Sequence, residues 1–422
     1  MKTTKKVCVI GLGYIGLPTA ALLANRGFYV IGVDIDHKVV ETVNRGDVHI
    51  LEPELDIYVK SAINSKRLIA QTKPEQADVF IIAVPTPFKE NYEPDISYVQ
   101  SAVESIIPHI SIGNIVVLES TSPVGTTEEI KRLISRKRPD LFDFDEHGGL
   151  KNAKIHIAYC PERVLPGRIM KELIENDRIV GGISQNSTKV VADFYRQFVD
   201  GLVLETDAKT AEMCKLVENA YRDVNIAFAN ELSMICDKLG INVWEVISLA
   251  NHHPRVKILQ PGPGVGGHCI AVDPWFIVYQ GKELARLIKT AREVNLYKTE
   301  WVINKIKNAI SKWKFDKPDM IPKIAIMGLS YKPDTDDLRE SPALHIAKQL
   351  KYDGYTILAV EPNINNNSDS TGFKLYTYDD AIREGDIIVF LVAHKHFKNS
   401  ISKLETVKEK IVLDFCGIIQ QT

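Results

Sequence analysis

The chain has 422 residues, more than one hydrophobic core usually organises, so two or three domains are expected. Its 45% hydrophobic and 25% charged residues are those of an ordinary globular protein. Lys+Arg 52 against Asp+Glu 54 leave a formal charge of −2, which excludes the basic footprint of a nucleic-acid or anionic-membrane binder.

Lys5-Lys6 followed by apolar residues from Val7 to Ala24 superficially resembles a secretory signal, but Gly11, Gly13, Gly16 and Pro18 interrupt it in a pattern with its own mechanism. Short β-branched runs then alternate with amphipathic stretches, predicting strands at Lys6 to Ile10, Tyr29 to Val33, Val79 to Val84, Ile115 to Glu119, Ile155 to Tyr159, Ile179 to Ile183 and Leu202 to Glu205. Such a pattern belongs to an α/β domain, a parallel sheet buried on both faces. The basic run from Lys131 to Arg138 reads as a solvated helix end, and Asp140 to Glu146 as an acidic surface loop. A long helix is expected from Ala208 to about Leu239, where Gly240 stops it, and a second from about Lys282 to Trp313 after a Pro/Gly-rich loop. Lys323-Ile-Ala-Ile-Met-Gly328 then echoes Lys6-Val-Cys-Val-Ile-Gly11, with further strands at Thr356 to Val360, Ile387 to Leu391 and Ile411 to Leu413. Two doubly wound Rossmann-like domains joined by a long central helical segment are therefore expected, with domains at residues 1–206, 207–315 and 316–422. The polar stretch Asn363 to Asp369 looks like a surface insertion. No apolar run approaches the roughly 20 residues of a membrane helix, and the six cysteines are scattered without a CxxC pair, so a cytoplasmic protein with reduced thiols is expected.

Gly11-x-Gly13-x-x-Gly16 lies between a predicted strand and a predicted helix. Gly11 permits the tight turn, Gly13 lets backbone approach a pyrophosphate and Gly16 allows close helix packing. Asp34, at the end of the next strand, stands where a ribose-binding acid belongs, and its charge favours NAD over a 2′-phosphorylated cofactor. In the later echo Ser330 and Pro333 replace the second and third glycines, which suggests a different phosphorylated ligand held by Lys332 and Arg339.

Gln260-Pro-Gly-Pro-Gly264-Val-Gly266-Gly267-His268-Cys269-Ile-Ala-Val-Asp273 places a cysteine after a backbone that must pass close to something, at or near a helix start that lowers a thiol's pKa. Asp273 follows four residues on. A lone cysteine is often only a small buried hydrophobe, a reading that suits Cys8, Cys214, Cys236 and Cys416. Zinc bound by His252, His253, His268 and Cys269 is disfavoured because no ligand pair has structural-zinc spacing, and no metal is expected. Lys215 and Asn219 share one helical stripe near Arg222, and Cys160-Pro-Glu162-Arg163-Val164 follows a predicted strand at the edge where doubly wound sheets bind ligands.

Over nearly its whole length the chain resembles the UDP-glucose/GDP-mannose dehydrogenase family. The resemblance rests on Gly11-Leu-Gly-Tyr-Ile-Gly16, Pro85-Thr-Pro87, Ser120-Thr-Ser-Pro-Val-Gly125, Pro161-Glu-Arg-Val-Leu-Pro-Gly167, Lys215-Leu-Val-Glu-Asn219, Gly266-Gly-His-Cys269 and Lys332-Pro-Asp-Thr-Asp-Asp-Leu-Arg339-Glu-Ser341. It implies two hydride transfers to NAD from carbon 6 of a nucleotide-bound sugar, with Cys269 capturing the aldehyde and passing through a thioester. Lys215 and Asp273 would handle protons, Asn219 would steady an oxyanion, and Glu162 with Thr121 would place water. Tyr14, Ile15, Asp34, Thr86 and Thr121 carry over as cofactor contacts beside the three glycines. Arg163, Val164, Lys215, Asn219, Arg222, Gly266, Tyr331, Lys332 and Arg339 carry over as substrate contacts. Asn251-His-His-Pro-Arg-Val256 and the cysteine loop are most similar to the branch acting on UDP-N-acetylmannosamine, where His253 and Arg255 would reach the sugar nucleotide, and where a homodimer on the long helix is implied. His268 and Val272 stand where the UDP-glucose branch has Ser and Lys, and Cys416 where relatives often place a basic residue. UDP-N-acetylglucosamine or UDP-N-acetylgalactosamine is the nearest alternative substrate. A non-catalytic dinucleotide binder would not need a thiol beside a lysine, and a plain 2-hydroxy-acid dehydrogenase would need no second phosphate-binding lobe.

Overall fold

The computed structural model describes residues 5–147, 149–267, 269–364, 369–402, 404 and 409–419. His268 and most of the polar insertion after Asn363 lie outside the described residues. The chain divides into two compact units, Met1–Val217 and Glu218–Thr422, so the division falls inside the long helix.

In the first unit eight strands form one sheet: β1 (Lys6–Ile10), β2 (Tyr29–Val33), β3 (Leu68–Gln71), β4 (Val79–Ile82) and β5 (Ile115–Leu118), then, beyond a hairpin of β6 (Phe142–Phe144) and β7 (Leu150–Ala153), β8 (His156–Tyr159), β9 (Arg178–Gly182) and β10 (Val203–Asp207). Their order is β10-β9-β8-β5-β4-β1-β2-β3. Alternate residues feed two cores: Val7, Val9, Ile81 and Val117 enter one, and Cys8, Ile10, Ile82 and Leu118 the other. Period-two burial on both faces is why these strands read as continuous apolar runs. Three expectations need correction. β3, Leu68-Ile-Ala-Gln71, is a strand the apolar runs do not announce, because it lies at the sheet edge with Ile69 exposed. Residues from Asp140 to Glu146 are not simply a loop, since Phe142 pairs Ala153 across the β6–β7 hairpin. The sheet is not wholly parallel, for β9 runs antiparallel to β8.

In the second unit the long helix begun at Ala208 continues to Leu239, followed by helices Asp273–Gly281 and Arg286–Asp316. Arg292 pairs Asp223 across the two long helices at 2.6 Å, fully buried, and Asn295 donates to the same carboxylate oxygen at 2.8 Å. The third lobe is a four-stranded parallel sheet of β11 (Lys323–Met327), β12 (Thr356–Val360), β13 (Ile387–Phe390) and β14 (Ile411–Asp414), ordered β12-β11-β13-β14. Ile324 and Ile326 again enter one core and Ala325 and Met327 the other, as the echo of β1 foretold. Among the described residues no helix is long and apolar enough to cross a membrane.

Candidate active site

In the first unit the strand order reverses at β1, the switch point where doubly wound sheets bind ligands. Gly11 adopts φ +91, and a Cβ there would sit 2.6 Å from the Ala83 carbonyl oxygen. A Cβ on Gly16 would strike the Gly11 carbonyl outright. Gly13 is different, because a Cβ there would meet nothing within 4 Å. The chain's own packing does not require glycine at that position, whereas a ligand lying against the backbone would. Tyr14 and Ile15 complete the turn, and Ile15 caps helix Gly16–Asn25, which aims its N-terminal dipole into the same space. Asp34, half-buried, accepts the Leu12 N–H at 2.9 Å and the Asp36 N–H at 3.0 Å, so it shapes the glycine turn while keeping acceptor capacity for a ribose. Thr86 and Thr121, following β4 and β5, are joined by a bond from the Thr86 hydroxyl to the Thr121 carbonyl at 2.5 Å. The residues present thus fit a dinucleotide at this edge.

Glu162 follows β8 at that same edge and is 5% exposed. Its Oε1 accepts the Arg163 N–H at 2.7 Å, and its Oε2 pairs with Arg178. Because β9 runs backwards, its first residue, Arg178, is delivered to the carboxyl edge. Arg178 is 2% exposed, and a charged residue opening a buried strand gave no signal of a partner in the sequence. Glu119, directly after β5, accepts the Tyr195 hydroxyl at 2.6 Å, and burial together with the Glu162 charge pushes its carboxyl up to about 7. Arg163 donates to the Asp177 carbonyl, and Val164 packs against the hydrophobic core. Lys215 is half-buried on the long helix.

In the second unit Cys269 occupies a turn whose carbonyl accepts the Val272 and Asp273 N–H groups at 3.0 and 2.8 Å. The following helix opens at Asp273, not at the cysteine itself. Of the six cysteines Cys269 alone is exposed. Burial pushes the Cys8 thiol up to about 12 and raises that of Cys160, which leaves both inert. Asp273, 3% exposed, accepts the Asn219 amide at 2.5 Å, so two residues 54 positions apart meet at the start of the helix behind the thiol.

The glycines before Cys269 make room for the chain's own third lobe. A Cβ on Gly266 would lie 2.9 Å from the Tyr331 Cβ, and one on Gly267, at φ +84, 2.7 Å from the Tyr331 ring. Gly267 N–H also donates to the Arg339 carbonyl at 3.1 Å. The cysteine loop and the Tyr331–Arg339 segment are therefore one packed assembly. The Lys332 ammonium lies 5.5 Å from the Tyr331 ring, and Arg339 forms a two-pronged bridge to Asp337. Arg222 is exposed, and His253 and Arg255 are exposed in a loop that Asn251 closes by bonding Ile258. Around Cys416, Asp414 accepts the Cys416 and Gly417 N–H groups. Two residues of this lobe went unread, Glu361 and His394. The echo of β1 could have revealed Glu361, which follows β12 as Asp34 follows β2. Among the described residues no three metal-ligating side chains gather.

Three domain profiles of one family match in order: its NAD binding domain over residues 5–199, its central domain over 209–297 and its UDP binding domain over 325–421. The chain is 53% identical to a UDP-N-acetyl-D-mannosamine dehydrogenase from Yersinia pestis over 419 residues, covering 98% of both proteins. It is 51% identical to an NDP-N-acetyl-D-galactosaminuronic acid dehydrogenase from Ralstonia nicotianae, covering 98% of this chain and 96% of the relative. The solved structure of a UDP-D-ManNAc dehydrogenase from Pyrococcus horikoshii superimposes with a TM-score of 0.88 at 37% identity, covering 99% of this chain and 96% of that one. With the glycine turn, the thiol turn and the second lobe all in their expected order, the chain belongs to the UDP-glucose/GDP-mannose dehydrogenase family, as an NAD-dependent nucleotide-sugar dehydrogenase.

Proposed function

We propose that the protein oxidises carbon 6 of UDP-N-acetylmannosamine to the carboxylate in two steps, through a thiohemiacetal and then a thioester on Cys269. The observation that carries this reading is the exposed Cys269 thiol, set in a turn tied to Asp273, whose carboxylate is in turn held by Asn219. NAD, when bound at the glycine turn, supplies the hydride acceptor. The Cys269 thiolate adds to the aldehyde, and splitting the oxidation in this way replaces one difficult step by two easier ones. Lys215 and Asp273 move protons at the alcohol and at the hydrolytic water, Asn219 stabilises the developing oxyanion, and Thr121 and Glu162 orient water. Arg163, Val164, Arg222, His253, Arg255, Gly266, Tyr331, Lys332 and Arg339 bind the sugar nucleotide. The assignments follow a three-domain division at residues 1–206, 207–315 and 316–422, in a cytoplasmic enzyme.

A homodimer on the long helix belongs to the same proposal. Tyr221, Phe228, Ile235 and Leu239 recur at helical spacing with 73, 55, 49 and 64% of their surface exposed, an apolar stripe a second copy would cover. The galacto-configured sugar is the second reading, supported by the 51% identical relative.

The test is stoichiometric. Two NADH per UDP-N-acetylmannosamine with uronate as product are expected, against little turnover of the gluco and galacto epimers. Cys269→Ser should stop acid formation. One NADH per sugar with aldehyde released would exclude the thioester route.

A further inference from the structure

The most elaborate polar cluster of the third lobe lies beneath the Tyr331–Arg339 segment. Glu361 and His394 have fully buried side chains 3.1 Å apart, between the Glu361 Oε2 and the His394 Nε2. The same Oε2 accepts the Leu329 N–H at 2.8 Å and the Ser330 N–H at 3.0 Å, and Oε1 accepts the Asn363 N–H at 3.2 Å. On its other side the His394 ring accepts the Asp334 N–H at Nδ1, 2.9 Å. The Asn363 side-chain amide lies 3.0 Å from the same Nδ1, so the ring is held on both sides, with Nε2 facing Glu361. Burial opposes the Glu361 charge, but the His394 hydrogen bond and the backbone N–H groups outweigh it and hold the carboxyl below its usual range.

Between those two anchors the chain is forced into an unusual shape. Asp334 adopts φ +58, in the left-handed region, and its side chain accepts the Lys395 N–H at 2.9 Å. Backbone held in such a region persists only where its surroundings over-determine it, and ligand clamps are a common site for it. Ser330 bonds the Lys332 carbonyl at 2.9 Å and Ser341 bonds the Leu329 carbonyl at 2.6 Å, closing the segment from both ends. The segment's outward face bears Tyr331 against Gly266 and Gly267, two residues ahead of Cys269.

We propose that Glu361 and His394 are positioning residues, a buried latch that fixes residues 329–337 in the shape that receives the nucleotide diphosphate. The inference rests on the reading that this segment contacts the sugar nucleotide. Glu361 holds the start of the segment through Leu329 and Ser330, and His394 holds its middle through Asp334. Neither side chain reaches solvent, so neither touches ligand directly. The acid that shapes a glycine turn in the first unit is here consumed entirely by the loop, with an imidazole filling the place left over.

Calorimetric titration of the full-length protein with UDP and, separately, with NAD tests the latch. His394→Phe keeps the bulk and removes the ring's polar contacts to Glu361, Asp334, Asn363 and Ser330. It should weaken UDP by about tenfold or more, leave NAD within about twofold, and raise KM for the sugar nucleotide more than it lowers kcat. His394→Gln, whose amide still donates towards Glu361, should recover most of that loss. Should His394→Phe not fold, Glu361→Gln, which keeps the shape and removes the charge, should weaken UDP by about fivefold in its place. Unchanged UDP affinity in a folded variant, or a matching fall in NAD affinity, would overturn the latch. Wild-type protein that takes up NAD but no UDP would overturn the nucleotide reading itself, and the latch with it.

Discussion

Replacing Glu119 by Gln removes a titrating group from the interior of the first unit while keeping an acceptor for the Tyr195 hydroxyl, now 2.6 Å away. Burial, then the nearby Glu162 charge, push this carboxyl from the ordinary 4.5 up to about 7. Between those values the folded chain keeps a proton that the unfolded chain has released. Stability tied to Glu119 is therefore complete below about pH 4.5 and is lost as pH rises through about 7. At about 1.4 kcal/mol per pH unit the loss amounts to about 3 kcal/mol. Denaturation midpoints and slopes in guanidinium at pH 5 and pH 8, for wild type and Glu119→Gln, isolate it. The variant's stability relative to wild type should rise by about 2.5 kcal/mol between the two pH values, since a little of the loss already lies below pH 5. A relative stability that stays level across that range would mean that Glu119 is ionised throughout, its charge neutralised by Arg178, and the reasoning would fail.

Arg292→Met should destabilise the second unit by about 3–5 kcal/mol, because it strands the buried Asp223 carboxylate. Adding Asp223→Asn should restore much of that, as a double-mutant cycle in thermal melts would record. Gly13→Ala should leave the melting temperature almost unchanged, since its Cβ meets no protein atom within 4 Å, yet weaken NAD binding about tenfold or more by fluorescence titration. Gly16→Ala should lower the melting temperature as well, because its Cβ collides with the Gly11 carbonyl.

What the sequence made legible follows from which contacts are local. Strands buried on both faces announce themselves as apolar runs, and the helix Ala208–Leu239, 32 residues without Gly or Pro, is legible with its C-terminal end marked by Gly240. The glycine turn and Asp34 belong to one supersecondary unit, and their spacing is fixed by its geometry. Partners brought together by topology were not readable. Glu162 meets Arg178 because β9 reverses, and no local pattern encodes a reversal. The glycines before Cys269 imply a close approach, but the approaching body is Tyr331 of a lobe some sixty residues onward, which spacing alone does not name.

The two Rossmann-like lobes show how one local device serves different ends. In each, an acid follows the second strand of the unit and accepts N–H groups from the turn after the first. Asp34 gives one oxygen to each of two backbone groups and remains half-buried, so its remaining lone pairs can face a ribose. Glu361 is buried, and Leu329, Ser330, Asn363 and His394 use up its oxygens. A carboxylate so consumed cannot select between ribose hydroxyls. On the proposed function, recognition in the third lobe passes from the acid to what the acid holds in place, Tyr331 and Lys332, with no carboxylate left over to face a ribose.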